Sequence, residues 1–309
     1  MFSFFKTLNS CDGKYTDSSD VRFTKACDNN CSFCIEKDGI DSLGETDVEK
    51  LIESTISSNK ESVLILGGEP FLKVKQLRQY VARIRPFVKE LYITTSIPRT
   101  LTLEDEDVWD ILEMIDGLNV SLQHYNPKIN NDVLQANNRF NRIDRLATIL
   151  KHEKFANKVR VSINLCKGFI DTKEKLETFF DVMESINCKH VKINELQEVG
   201  PDLYVSFEKE YGVKMKSPYA FGCQTDITNL INRSFKVTLK RACFKVMHPS
   251  IAENEVSIYD VAKLLYRRVK PSRNDMQVLY ENGRLTNTWE RKEDKDLKQL
   301  LVGVEKRKR

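Results

Sequence analysis

Ser62-Val63-Leu64-Ile65-Leu66-Gly67-Gly68-Glu69-Pro70 is the stretch that decides the fold. An unbroken apolar run, too short for a helix, stops at two glycines, an acid and a proline. A run that is apolar on both faces reads as a strand covered on both sides, which is the signature of a parallel sheet. On the simplest reading the glycines relieve crowding at the strand end and the proline ends pairing.

The same punctuation repeats outward from it. Thr46 is placed to cap a helix running through Asp47–Glu53, and Lys73–Arg85 has helical period until Pro86 stops it. Strands are expected at Val21–Thr24, Leu91–Ser96, Gly117–Gln123, Val159–Leu165 and His190–Leu196, and helices at Glu104–Met114, Arg142–Leu150 and Thr172–Ile186. Six βα units require right-handed crossovers and a parallel sheet. The expected fold is α/β: a partial (β/α)6 TIM-like barrel over residues 1–199, with its active site at the carboxyl ends of the strands. Residues 200–309 read as a C-terminal α+β extension that covers the substrate pocket. It holds a helix near Tyr204–Tyr211, a strand at Phe235–Leu239, an amphipathic helix at Ser257–Arg268, a Gln277–Leu285 hairpin with an Asn-Gly turn, and a basic tail, Lys306-Arg307-Lys308-Arg309.

Composition narrows the class. The chain has 309 residues, 40% hydrophobic and 30% charged, which is ordinary for a soluble globular protein. No apolar run approaches the roughly 20 residues that span a bilayer. Met1–Lys6 is apolar but too short for a signal-peptide core, so the cytoplasm is expected. A net charge of +4, with no basic-aromatic module, argues against a nucleic-acid grip. Eight cysteines in a chain this large point to metal chemistry in a reducing compartment rather than to disulfide stapling.

Three of them, in Cys27-Asp28-Asn29-Asn30-Cys31-Ser32-Phe33-Cys34, fall within eight residues on the loop leaving the first strand. Three thiols leave a metal centre one ligand short of a closed structural zinc site. On a [4Fe-4S] cubane they would hold three irons and leave the fourth open. A partial zinc site is the competing reading of the thiols alone.

The Cx3Cx2C spacing with an aromatic before the last cysteine, followed on the next strand by Gly67-Gly68-Glu69-Pro70, resembles the radical S-adenosylmethionine (radical SAM) enzymes. The resemblance covers roughly residues 20–196. It implies that Cys27, Cys31 and Cys34 hold a [4Fe-4S] cluster beside Phe33, and that Gly67, Gly68, Glu69 and Pro70 recognise the SAM amino group. Reductive cleavage of SAM then gives a 5′-deoxyadenosyl radical that abstracts hydrogen from substrate, the electron coming from a donor such as flavodoxin or ferredoxin. Thr95 and Ser96 match a Thr-x-Gly position that touches ribose or substrate, although Ile97-Pro98 stands where the glycine would be. Ser121 and Gln123 match a Ser-Leu-Asp-like position, with Gln123 in place of the acid. Asn164 matches a position near the SAM methionyl group or ribose. Cys166 is a candidate hydrogen-atom donor, while His124-Tyr125-Asn126 and Glu195 are candidates at the barrel mouth. Cys188, Cys223 and Cys243 are too scattered for a second cluster to be expected.

A small-molecule or nucleotide substrate is the expectation. Modification of a peptide or RNA is the alternative, and a non-catalytic Fe–S or zinc-binding module is the alternative of a different class.

Overall fold

Six strands in chain order lie side by side and parallel: β1 (Ser18–Thr24), β2 (Ser62–Gly67), β3 (Glu90–Thr95), β4 (Gly117–Ser121), β5 (Val159–Leu165) and β6 (His190–Gln197). The structure, a computed structural model, describes residues 18–31, 34, 45–165, 167–197, 205–206, 208, 224–243 and 277–286. Cys11, Phe33, Cys166, Cys223, the expected 257–268 helix, most of 204–211 and the basic tail lie outside the described residues.

Each crossover is helical. The crossover helices are α1 (Val48–Ser58), α2 (Val74–Ile84), α3 (Glu106–Met114), α4 (Pro127–Leu134), α5 (Arg142–Leu150), a four-residue α6 (Glu153–Ala156) and α7 (Lys173–Ser185). Most starts follow capping chemistry. The side chain of Asp47 accepts from the Lys50 N–H, Asn141 accepts at the head of α5, and Thr172 at the head of α7. Asp47, not Thr46, therefore caps α1; the Thr46 hydroxyl donates instead to the Phe23 carbonyl (2.9 Å). Helix α4 was not foreseen. Its start is nonetheless written in Asn126-Pro127, a side-chain cap followed by proline at the first helical position.

The core lies between the sheet and these helices. Val63, Ile65, Leu91, Ile93, Leu118, Val120, Val161 and Ile163 meet Leu51, Leu77, Val81, Ile111, Leu146 and Phe179, all fully buried. Burying each such side chain is worth about 1.5–3 kcal/mol. The opposite sheet face is polar on β4, β5 and β6. Asn119, Ser121, Arg160, Ser162, Asn164, Lys192 and Asn194 alternate with the core residues there.

The sheet stays open rather than closing, as a partial barrel does. The described residues beyond 200 add strands at both edges. β8 (Lys236–Cys243) runs parallel to β6, and β7 (Gln224–Asp226) pairs antiparallel on it. At the other edge β9 (Gln277–Leu279) runs parallel to β1 and turns into β10 (Leu285–Thr286). The expected hairpin forms, but with a bulged turn. The Gly283 N–H donates to the Tyr280 carbonyl (2.8 Å), and Gly283 itself takes the left-handed φ of +79°. Arg22 of β1 locks the hairpin by gripping Glu281 with two hydrogen bonds of 2.6 and 2.9 Å, both side chains being buried.

Candidate active site

The site begins where β1 and β2 end side by side. After Thr24 the chain passes through Lys25 and Ala26 to Cys27, and the end of β2 runs against it. The Gly68 N–H donates to the Thr24 carbonyl (2.6 Å), and the Glu69 N–H to the Ala26 carbonyl (2.8 Å). This approach is why the sequence needs both glycines. A Cβ on Gly67 would stand 2.4 Å from the Thr24 oxygen, and one on Gly68 only 2.2 Å from the Ala26 oxygen. Gly67 also takes φ +133°. The glycine pair thus sets Glu69 beside the root of the cysteine loop.

Glu69 is buried, and among the described residues its carboxylate is met by neutral donors. Oε1 accepts from the Thr95 hydroxyl (2.8 Å) and the Phe71 N–H (3.2 Å); Oε2 accepts from the Ser96 N–H (2.7 Å) and hydroxyl (2.8 Å). Burial outweighs these bonds and lifts its carboxyl to about 7. A buried carboxylate whose hydrogen-bond donors among the described residues are all neutral is suited to receive an ammonium group. Thr95 and Ser96 are therefore brought to the site, as partners of Glu69. The Ile97 N–H donates to the Thr95 hydroxyl (3.0 Å), and Ile97 takes φ +56°. The left-handed backbone expected of a glycine at this position is present although the residue is isoleucine.

The cysteine loop is pinned from the side by α4 and the turn after it. The Asn30 N–H donates to the Leu134 carbonyl (2.9 Å), the Cys31 thiol lies 3.5 Å from the same oxygen, and the Asn137 N–H donates to the Asp28 carbonyl (2.9 Å). The Cys34 N–H donates back to the Cys31 carbonyl (3.2 Å). Cys27 is itself exposed, yet desolvation by its neighbours, reinforced by the charges of Glu69, Asp28 and Cys34, pushes its thiol up to about 11, so binding iron there must release a proton. Among the described residues no three His, Cys, Asp or Glu side chains converge as a cage for a single ion. The donor set fits a cluster: three thiolates carried on one loop can bind three different irons of a cubane.

The other candidates divide. Ser121 and Asn164 stand on the polar sheet face, and the Asn164 Oδ1 accepts from Asn194 (3.0 Å), which also donates to Ser162 (3.0 Å). Gln123 is buried and bridges strands, its Oε1 accepting from the Asn164 N–H (3.3 Å). His124-Tyr125-Asn126 is local scaffolding: His124 Nδ1 accepts from the Asn126 N–H (2.9 Å), and Asn126 caps α4. Glu195 alternates with Asn194 and shares the face of Val191 and Ile193, away from the polar one. Cys188 is a buried thiol against the His190 carbonyl (3.4 Å), as expected of packing at a helix end. Cys243 ends β8.

Sequence reasoning missed Asn29, Asn194 and Arg142. Asn29 lies inside the cysteine motif and its Nδ2 donates to Ser96 Oγ (2.7 Å). Arg142 is the first residue of a helix and carries no motif, yet it is 1% exposed behind the loop.

Residues 21–183, just over half of the chain, match the sequence profile of the radical SAM superfamily. A curated relative, the probable GTP 3′,8-cyclase of Pyrococcus abyssi, is 29% identical over 106 residues, which is 33% of each protein. Among solved structures, Streptococcus suis SuiB bound to its precursor peptide SuiA superposes with a TM-score of 0.57 at 16% identity, over 89% of this chain and 60% of that one. A radical SAM methyltransferase from Sphaerobacter thermophilus gives a TM-score of 0.52 at 14% identity, over 73% and 65%. The chain thus spans a third of that curated relative's length and under two thirds of these structures. With the open parallel sheet and the paired β1 and β2 ends in view, the chain belongs to the radical SAM superfamily, enzymes that use a [4Fe-4S] cluster and SAM for radical chemistry.

Proposed function

We propose that Cys27, Cys31 and Cys34 hold the cluster, that Glu69 receives the SAM ammonium, and that the substrate is a small anionic molecule such as a nucleotide. Bound there, the cofactors supply a 5′-deoxyadenosyl radical, and the protein's part is to bind, orient and exclude water. One observation carries this reading: backbone hydrogen bonds between Gly68 and Thr24 and between Glu69 and Ala26 fix the buried carboxylate one strand away from the thiol loop. A zinc module has no use for that carboxylate.

The substrate class is supported by the polar sheet face. Arg160, Lys192 and Lys240 stand on it from three adjacent strands. Burial first, then Arg160 and Lys240, hold the Lys192 ammonium well below its ordinary range. The P. abyssi relative carries a nucleotide in its name, which agrees with the same class. Residues 200–309 are proposed to shape the pocket over this face, and a small electron-transfer protein of the flavodoxin or ferredoxin kind to supply the electron.

The test is anaerobic reconstitution with iron and sulfide, then SAM and dithionite. About four irons per chain, with 5′-deoxyadenosine formed by the wild type and not by a Cys27/Cys31/Cys34→Ala triple variant, is the expected result. Tightly bound zinc, or iron without nucleoside, overturns the reading.

A further inference from the structure

Arg142 reaches three separate parts of the site with one guanidinium. Its Nε donates to the Ser96 carbonyl at the end of β3 (3.0 Å), its Nη2 to Asn29 Oδ1 in the cysteine loop (3.1 Å), and its Nη1 to Asn131 Oδ1 of α4. The ring of Phe140 lies 4.5 Å beneath it. Asn29 and Ser96 are themselves bonded, and Ser96 holds the Glu69 carboxylate. Arg142, Asn29, Ser96 and Glu69 thus form one hydrogen-bonded frame, running from between the first two thiols to the carboxylate on the neighbouring strand.

A frame needs donors but not a charge. The three acceptors of Arg142 are neutral oxygens, and burying a guanidinium against neutral groups is costly. Burial does push Arg142 below its ordinary range, opposed by Asp28, Glu69, Cys31 and Cys27. Among the described residues its one ion-pair partner is Asp28, with Nη2 and Oδ2 3.9 Å apart, and neither buried Asp28 oxygen has a hydrogen bond there. Such a cation is best repaid by more negative charge nearby. Three thiolates around a [4Fe-4S] core give a net anion that gains one further negative charge on reduction.

We propose that Arg142 is a positioning residue with two separable effects: its planar fork sets the cysteine loop at the right offset from Glu69, and its charge favours the reduced cluster. Lysine cannot supply both, because it carries the charge without the planar set of donors. The proposal rests on the ligand and ammonium assignments above, and deepens them.

The experiment uses the full chain loaded anaerobically with iron and sulfide, in wild type, Arg142→Gln, Arg142→Lys and Asn29→Ala. The readouts are the one-electron midpoint potential by EPR titration without SAM, and the KM for SAM. Arg142→Gln is expected to weaken reduction tenfold, a fall of about 59 mV, and to raise the SAM KM about tenfold. Arg142→Lys restores the potential but not the KM. Asn29→Ala keeps the wild-type potential and raises the KM. Iron-loaded Arg142→Gln matching the wild type in both readouts overturns the proposal, as does Arg142→Lys failing to restore the potential or Asn29→Ala leaving KM unchanged. If Arg142→Gln does not fold, the other two variants decide on the same terms. The potential is read without SAM cleavage, so a failure here is distinct from absence of nucleoside in the wild type.

Discussion

The Ser96 hydroxyl donates to Glu69 Oε2 at 2.8 Å while accepting from Asn29 Nδ2 at 2.7 Å, so one side chain joins the end of β2 to the cysteine loop. The hydroxyl polarises toward the carboxylate and is a better acceptor for Asn29 when Glu69 is ionised. Ionisation of Glu69 is thereby felt in the loop.

Binding of SAM through its ammonium requires the Glu69 carboxylate. Its carboxyl is raised to about 7 by burial, so SAM affinity is expected to rise with pH through about 7 and to level off above it. Glu69→Gln is expected to lose roughly tenfold to hundredfold in affinity, as for a charge-assisted hydrogen bond, and to lose the pH dependence. Calorimetric titration of the cluster-loaded protein from pH 6 to 9 checks both; an unchanged slope in Glu69→Gln would remove Glu69 from the binding step.

The same carboxyl makes a stability prediction of opposite sense. Its folded value lies above the ordinary one, so its contribution is intact below about 4.5 and is lost as pH rises through about 7. The loss is of order 3 kcal/mol. In urea denaturation of the SAM-free protein, Glu69→Gln should gain on the wild type as pH rises from 5 to 8.

Gly68→Ala places a methyl group 2.2 Å from the Ala26 oxygen, against backbone that cannot turn aside. The β1 and β2 ends must separate, at a cost of about 2 kcal/mol or more, and the thiol loop moves with them. Lowered iron content after reconstitution, together with a lower denaturation midpoint, is expected. Full loading would show that the loop does not depend on this approach.

Ile97 inverts a usual ranking. It is fully buried, and its φ of +56° costs a β-branched residue about 1–3 kcal/mol. Ile97→Ala loses the packing and keeps most of the strain, whereas Ile97→Gly loses the packing and relieves it. Both should destabilise by about 2–5 kcal/mol, with glycine no worse than alanine. Denaturation midpoints of the pair decide it.

Breaking the Arg22–Glu281 pair removes two charge-assisted hydrogen bonds from a buried guanidinium. Glu281→Ala is expected to cost about 3–5 kcal/mol, while Arg22→Met with Glu281→Leu should recover most of the loss. A double-mutant cycle by chemical denaturation measures the coupling.

Much of the architecture was legible because each parallel strand is marked by its own apolar run and each crossover by helical period. The glycines were legible as a strand end, but the reason for two of them, contact with the Thr24 and Ala26 carbonyls, belongs to pairing between distant segments. Helix α4 escaped because only Ile129, Val133 and Leu134 give its eight residues an apolar face, though Asn126-Pro127 announced its start. Arg142 escaped for a deeper reason. A charged residue opening an amphipathic helix normally points to water, and nothing local records that this one is covered by Phe140 and the cysteine loop. Glu195 was misjudged because its strand-end position suggested the barrel mouth, whereas alternation with Asn194 sets it on the other face.

β1 carries the cysteine loop, yet its outer neighbour is β9, and the two are clasped by residues 259 positions apart. During synthesis β1 emerges long before Gln277–Thr286, so its outer edge must wait unpaired while the rest of the sheet assembles against β2. An unpaired edge invites association with other chains, and closure over so long a separation is slow. The strand that roots the thiol loop is therefore among the last to be shielded, and a nascent chain is most exposed to misassembly at the place where its metal chemistry will later be installed.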